Sequence, residues 1–497
     1  MPIKRVLIAN RGEIAIRIVR ACREAGLESV AVFSDADAGA PHVHAADTAL
    51  RVGPAPASDS YLSIPNLIRA AQASGADAIH PGYGFLSERP AFARACEAAG
   101  ITFIGPPADV IERMGSKIEA RAVAEAAGVA VVPGQIPADQ SDAGVVTAAG
   151  AIGYPVLVKA SAGGGGKGMR ILRAKTGATD LVASARREAI AAFGDGTLYV
   201  ERLIERPRHI EIQIFGDADG QIVHLFEREC SVQRRHQKIV EESPSTAVSE
   251  KLRARMCAAA VAAGTAAGYR NAGTVEFLVE GSGDSARFYF LEMNTRLQVE
   301  HTVTEAVTGV DLVRAQFAVA AGGRVPWRQD SLAQRGHAIE CRIYAEDPAH
   351  DFLPQAGALA VYREPSGPGI RIDSGVAEGI EIGVHYDPLL AKLIAYGESR
   401  EAATARAIAA LRDYPVLGIR TNIPFLVRLL AHPGFVDGRL HTGFLEDHME
   451  SLIASSAPPA EALAAAAAAS RQSGNLMPGA AAVSTPDPWA YLTGWGR

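Results

Sequence analysis

The residues best suited to chemistry run from Phe288 to His301, Phe-Tyr-Phe-Leu-Glu-Met-Asn-Thr-Arg-Leu-Gln-Val-Glu-His, where an aromatic strand passes into polar residues that a core would not select. If residues 288–294 are extended, their side chains alternate between faces. Phe290, Glu292 and Asn294 then share one face and Tyr289, Leu291 and Met293 the other, so two oxygen ligands point the same way. The earlier run 273–280 reads as a hairpin partner across a Gly/Ser/Asp turn at 281–285, and it brings Glu276 beside them. Carboxylate, carboxylate and amide oxygens make a hard-cation site of the kind Mg²⁺ uses when it also holds nucleotide phosphates. Arg296, Gln298 and Glu300 follow directly. A solvated sheet edge is the plainer explanation of such a run, but unpaired charge close to buried-looking aromatics is expensive.

Several elements must position these groups. A chain of 497 residues exceeds one compact core, and two to four domains are expected. A net charge of −6 leaves no basic footprint for nucleic acid, which points to a small molecule or a protein as the partner. Cys22, Cys96, Cys230, Cys257 and Cys341 are widely spread and form no CxxC pair, so neither a disulfide framework nor a zinc site is indicated. A reducing compartment fits. The apolar run near the N-terminus is too short for a signal segment, and no apolar stretch reaches membrane-spanning length, so the expectation is a cytoplasmic protein with no membrane partner.

Residues 6–9, 14–25 and 30–33 read as strand, helix and strand, the βαβ opening of an α/β domain. The turn Asn10-Arg-Gly-Glu13 lacks GxGxxG, so no dinucleotide fingerprint stands where one belongs. A second strand ends in His80-Pro-Gly-Tyr-Gly-Phe-Leu-Ser-Glu88, at the edge where open α/β sheets gather ligands. His80 and Glu88 are therefore site candidates, with a locally bonded loop residue as an equal alternative for each. A helix begins near Asp109 and leads to Lys117, and the Pro133-Gly134 break reads as entry to a second, smaller domain.

Residues 154–169 read Tyr-Pro-Val-Leu-Val-Lys-Ala-Ser-Ala-Gly-Gly-Gly-Gly-Lys-Gly-Met. A Walker A loop fails here, because position 161 is Ser and Lys167 is followed by Gly. A formal GxGxxG at Gly163, Gly165 and Gly168 is followed by a strand-like run and not by the helix that motif needs. The surviving pattern is strand, glycine loop, strand, whose backbone N–H groups can lie directly on phosphates while Lys159 adds a fixed positive charge. A plain turn would carry the ordering entropy of four glycines with no structural gain.

Residues 201–204 are where backbone groups and one carboxylate could meet an adenine and ribose. His209-Ile-Glu-Ile-Gln-Ile214 alternates strictly, with His209, Glu211 and Gln213 on one face and three isoleucines on the core face. Residues 229–242 concentrate cations and amides next to acids and read as a connection held inside a domain, between a strand at 223–226 and a helix over 249–267. Residues 337–344 repeat the alternation, with Glu340 and Arg342 on one side.

Asn10-Arg-Gly-Glu-Ile-Ala15, the His80 to Glu88 turn, Lys159-Ala-Ser161 with its glycine loop, Gln233-Arg-Arg-His-Gln-Lys238 and Glu292-Met-Asn-Thr-Arg-Leu-Gln-Val-Glu-His301 together closely resemble the biotin carboxylases of the ATP-grasp superfamily. The resemblance covers about residues 3–447 without a large gap; Ala162 departs from the glycine usual at that loop position. It implies an α/β fold in parts: an N-terminal doubly wound α/β (pre-ATP-grasp) domain over 1–131, an ATP-grasp lid over 132–203 that closes on nucleotide, and a large C-terminal α+β catalytic domain over 204–450. Residues 451–497 would be an Ala/Pro-rich linker and aromatic tail.

By the same resemblance, Lys117, Lys159, Gly165, Gly166, Glu201, Ile204, His209, Gln233 and His236 contact ATP, together with Glu276 and Glu292. Glu276, Glu292 and Asn294 would hold Mg²⁺ or Mn²⁺. Lys238, Arg296, Gln298 and Val299 would bind bicarbonate, Arg342 would contact carboxyphosphate or biotin, and Glu300 would be the general base. The implied catalytic groups are Arg296, Glu300 and Lys238.

The reaction so implied is ATP- and bicarbonate-dependent carboxylation of biotin through carboxyphosphate, the first half-reaction of an acyl-CoA carboxylase. Its partners would be a biotin carboxyl carrier protein or domain and carboxyltransferase subunits, and a homodimer is a candidate assembly. Another ATP-grasp ligase and an inactive nucleotide-sensing subunit are the alternatives. The final acceptor binds the carboxyltransferase and is not written in this sequence. No lysine follows Lys392, so the biotin-bearing lysine is expected on another polypeptide or a portion beyond this sequence. Residues 454–486 read as a weakly ordered linker, and residues 487–497, with Trp489, Tyr491 and Trp495, as an anchor on a partner chain.

Overall fold

In the computed structural model, which describes residues 3–161 and 168–454, Arg5–Ile8 lies in the middle of a five-stranded sheet. The order is Thr48–Gly53, Glu28–Ser34, Arg5–Ile8, Ala78–His80, Thr102–Phe103, and every pairing is parallel. Successive side chains of the first strand serve two cores. Val6 and Ile8 pack with Ile14 and Ile18 of the helix Gly12–Glu24, while Leu7 and Ala9 pack with Leu67 and Phe92. Both faces are covered, as the expected doubly wound arrangement requires.

A second sheet of eight strands runs antiparallel throughout: Arg287–Asn294, Asn271–Glu280, Arg208–Gly216, Ile222–Arg234, Gln237–Ser243, His337–Tyr344, Leu389–Gly397 and Ile370–Ser374. The helix Glu250–Ala267 packs on one face of it. Ser249 caps its start by accepting from the Leu252 N–H, and Gly268 closes its end in the left-handed region. Ile210, Ile212 and Ile214 join Leu252, Met256 and Ala260 in one core. The polar partners of these isoleucines are thereby turned to the other face.

The stretch 229–242 corrects its reading from sequence. It is not a connection but two paired strands of this sheet, Ile222–Arg234 and Gln237–Ser243, joined at Arg235 and His236. Both turn residues have positive φ, 48° and 68°, as a tight two-residue hairpin demands. Lys238, Glu241 and Glu242 of these strands are paired in the interior, while Arg235 at the turn pairs with Asp351 at the surface.

A smaller four-stranded sheet, Gly134–Gln135, Leu198–Arg202, Val156–Ala160 and Arg170–Leu172, carries the helices Asp142–Ile152 and Ala178–Phe193 on its own core. Val156–Ala160 and Arg170–Leu172 pair antiparallel across the glycine loop. Residues 162–167 of that loop, with Gly165 and Gly166, lie outside the described residues, as does the tail from 455 onward. The cysteines are free and buried. No helix among the described residues is long and apolar enough to cross a membrane.

Candidate active site

Strand register assembles the site. Arg228 stands opposite Glu211, Glu211 opposite Glu276, and Glu276 opposite Glu292, so three carboxylates and one guanidinium form a row across four strands. Like charges placed directly opposite repel, and the row survives only because cations are interleaved with it. Lys238, from the next strand, donates its three N–H groups to three different carboxylates: Glu211 at 2.6 Å, Glu276 at 2.8 Å and Glu300 at 2.7 Å. Arg228 is fully buried and donates to Glu211 at 2.5 Å and to Gln213 at 2.8 Å. His209 Nε2 lies 2.8 Å from the second oxygen of Glu276.

The face predicted for residues 288–294 needs one correction. Glu276 pairs with Glu292 but Phe277 pairs with Phe290, so Leu291 is an extra residue, a β-bulge. The bulge breaks the alternation. Phe290 therefore joins Met293 in the isoleucine core, opposite Glu292 and Asn294 rather than beside them. Glu292 and Asn294 remain on the side of Glu276, and Asn294 donates to its Oε1 at 2.8 Å.

After Asn294 the chain turns back over the row. Arg296 donates to Glu88 at 2.9 Å and to Gln298 at 2.7 Å, and Glu88 also accepts from the Thr295 backbone N–H. Of the two turn candidates, Glu88 thus reaches the site. His80 does not: its ring is fully buried, bonded to Gln316 and to the Gly82 N–H. Gln298 approaches Glu276 at 3.3 Å, and the Val299 carbonyl accepts from Lys392 at 2.8 Å. Glu300, at the N-terminus of the helix His301–Thr308, is fully buried and also accepts from Arg342 at 3.0 Å.

On the other side stand the groups expected to meet nucleotide. Lys159 and Glu201, from paired strands, form a buried ion pair. Burial would lower the Lys159 ammonium, but Glu201 and Tyr199 hold it above its ordinary range, so the charge is fixed. Lys117 opens the helix Lys117–Ala126, and burial pulls its ammonium down while Glu292 opposes that. Ile204 packs with Val132 and Tyr289. Gln233 is buried next to the hairpin turn and His236 is exposed at its tip.

Electrostatics separates the carboxylates. Burial alone would raise all of them. Lys238 and His209 hold Glu276 well below the usual carboxylate range, and Lys238, Arg342 and Arg228 do the same for Glu300. Glu292 goes the other way, pushed up by burial and by the charge of Glu276. No described residue donates a hydrogen bond to it. Ligand atoms of His209, Glu211 and Glu276 also lie within 4.8 Å of one another, but Lys238 and Arg228 already neutralise that group. A hard cation therefore gains most at Glu292 and the near side of Glu276, and the donor set fits one.

From the sequence alone Glu211 is placed only on a strand face, and Arg228 and Glu241 have no assigned role. Glu211 was legible from its alternation with His209. Arg228 was not, because its partners Glu211, Gln213, Thr274 and Thr304 come from separated parts of the chain.

Residues 2–111 match the family described as biotin carboxylase, N-terminal domain; residues 116–327 match carbamoyl-phosphate synthase L chain, ATP binding domain; residues 340–447 match biotin carboxylase C-terminal domain. The chain is 48% identical over 446 residues to biotin carboxylase 1 of Bacillus subtilis, covering 90% of this chain and 99% of that protein. It is 49% identical over 454 residues to the mitochondrial methylcrotonoyl-CoA carboxylase subunit alpha of Mus musculus, covering 91% of this chain but only 63% of that longer protein. The biotin carboxylase domain dimer of Hydrogenobacter thermophilus 2-oxoglutarate carboxylase, solved with MgADP, ADP and bicarbonate, superposes with a TM-score of 0.87 at 44% identity, covering 92% of this chain and all of that one. Biotin carboxylase of Campylobacter jejuni gives a TM-score of 0.87 at 43% identity, over 90% of this chain and 99% of its own.

Proposed function

This chain belongs to the biotin carboxylase family, and we propose that it uses ATP and bicarbonate to carboxylate biotin presented by a biotin carboxyl carrier protein or domain. The observation that carries the reading is the meeting of Lys238, Glu300 and Arg342 beside the Glu276–Glu292 pair. A base, two cations for an anionic substrate and a hard-cation site then share one buried cluster.

Bicarbonate is a poor nucleophile until it loses its proton. In the resting site Glu300 is a weak base, because Lys238 and Arg342 both bond to it. An anion that draws those two cations onto its own oxygens uncovers the Glu300 carboxylate at the moment a proton must be removed. Attack on the γ-phosphate yields carboxyphosphate and ADP, with Lys238, Lys117 and Lys159 placed to offset the negative charge. Mg²⁺ or Mn²⁺ at Glu276, Glu292 and Asn294 would supply neutralisation of phosphate oxygens. Carboxyphosphate then gives CO₂ and a phosphate that takes the ureido proton of biotin, while Arg296 stabilises the enolate-like oxygen and the freed nitrogen attacks CO₂. A lid over residues 132–203 would exclude water from an intermediate that hydrolyses readily.

The carrier, carboxyltransferase subunits and a homodimer are the partners this reading requires or suggests, the last by analogy with the solved dimeric domain. Free buried cysteines agree with a reducing, cytoplasmic-type compartment. The assay is phosphate release from ATP with bicarbonate, with and without free biotin; cleavage unaffected by both would overturn the reading.

Two variants report on separate steps. Arg296→Ala is expected to impair biotin carboxylation more than bicarbonate-dependent ATP cleavage, and equal losses would assign Arg296 a mainly structural role. Glu292→Gln removes a carboxylate to which no described residue donates a hydrogen bond, so apo stability should not fall. Affinity for metal-bound nucleotide should drop by roughly tenfold, the scale of one lost charge contact in a screened site. Titration calorimetry with and without metal checks both parts.

A further inference from the structure

Two carboxylates behind Arg342 have no part in the steps above. Glu241 and Glu340 are register partners on adjacent antiparallel strands, and both are fully buried. Glu241 Oε1 accepts from Arg342, 2.6 Å from Nε, and Glu340 Oε2 accepts from the Thr302 hydroxyl. The other oxygen of each, Oε2 of Glu241 and Oε1 of Glu340, is buried without a partner among the described residues. Side chains directly opposite in an antiparallel pair stand on the same face of the sheet. Two anions there would repel and leave two acceptors without a donor. A proton on one of them removes the repulsion and turns one of the two unpartnered acceptors into a donor.

We infer that Glu241 and Glu340 share a single proton, carried by Glu340, and act as a positioning pair that sets how firmly Arg342 is held back from the substrates. The inference rests on the role proposed above for Arg342. The surrounding charges decide which oxygen carries the proton. Glu241 has Arg342 against it, with Lys238 beyond and Glu300 opposing. Glu340 has Lys392 from the strand Leu389–Gly397, an ammonium committed to the Val299 carbonyl at 2.8 Å, Glu13 at 3.3 Å and Asp373 at 4.0 Å, and it feels the Arg342 charge without the direct bond that Glu241 has. Tyr83, whose hydroxyl is bonded to Glu13, and the Cys341 thiol are neutral neighbours. Burial pushes Glu340 up to about 8, with Lys392 opposing and Glu241 adding to the rise.

With the proton in place, Arg342 is divided between Glu241 and Glu300 and one edge of its guanidinium stays directed at the base. Loss of the proton adds a second negative charge behind Arg342 and draws it away from the reacting groups. The folded-state value lies above the ordinary 4.5, so the pair also contributes stability that is lost as pH rises toward about 8, the reverse of a salt-bridged carboxylate.

The test compares the wild type with Glu340→Gln in biotin carboxylation across the neutral and alkaline range, using free biotin. Gln keeps the acceptor for Thr302 and offers Glu241 a permanent donor. The wild type should lose turnover, with a rising biotin KM, on the alkaline side; Glu340→Gln should keep neutral turnover within about threefold and lack that limb. An unmoved limb would overturn the inference. If Glu340→Gln does not fold, Thr302→Val removes the hydroxyl that favours the ionised form, and the limb should move to higher pH; no movement is again fatal. The infrared carbonyl band of a protonated carboxyl, present at neutral pH in the wild type and lost on raising pH, reads the shared proton without any turnover. Its absence rejects the pair, whereas its presence in a protein that never cleaves ATP with bicarbonate rejects the proposed reaction and leaves the pair standing.

Discussion

Glu300→Gln is expected to leave nucleotide binding nearly intact while bicarbonate-dependent ATP cleavage falls by about 10² or more, the scale of losing a general base. The variant should fold, because neither cation is stranded. Lys238 keeps Glu211 and Glu276, and Arg342 keeps Glu241. The amide is neutral and nearly the same shape, so the change isolates the basic oxygen from the packing around it. Nucleotide affinity by calorimetry and phosphate release measured side by side check the two halves. Near-normal turnover would remove Glu300 from the mechanism.

Arg228→Met should unfold the eight-stranded sheet more readily, by about 3–5 kcal/mol, the cost typical of breaking a buried charge network from one side. The guanidinium is fully buried and donates to Glu211, Gln213, Thr274 and Thr304, at 2.5, 2.8, 3.1 and 3.0 Å, so it ties three strands to the helix that follows Glu300. Methionine fills much of the volume but leaves Glu211 with Lys238 as its remaining cation. Lys238 is then pulled toward Glu211 and away from Glu300 and Glu276, so activity should fall further than the folded fraction alone explains. Denaturant midpoints followed by residual turnover at full folding separate the effects. A midpoint shift under about 1 kcal/mol would show that the network is replaceable, since ordinary surface changes stay within that range.

Local patterns carried much of the design. The βαβ opening, the strictly alternating His209–Ile214 strand, the helix after Ser249 and the strand–loop–strand around Lys159 each follow from residue spacing or capping within a short window, and the described structure has all of them. The hairpin bringing Glu276 to Glu292 was legible for the same reason, since a turn-forming run separates two strand-like runs. The family likewise rests on contiguous motifs. The bulge at Leu291 was not legible, because an extra residue is recognised only against the partner strand it fails to match. Residues 229–242 read as a connection because a strand dense in charge shows no apolar alternation, and its pairing is recognised only with its partner strands in place.

What the sequence by itself determined is therefore the set of chemical groups and the short elements that carry them: the acids and amide of 276–300, the lysines beside the glycine loop, the alternation that turns each polar face from its apolar one. What only the tertiary structure decided is which charges meet. Lys238 closes on Glu211, Glu276 and Glu300, Arg342 on Glu241 and Glu300, and Arg296 on Glu88 from the parallel-sheet domain, partners as much as 208 residues apart. The physical reason is that strand spacing obeys local sterics, whereas a buried charge is tolerable only where the whole fold delivers its counterion.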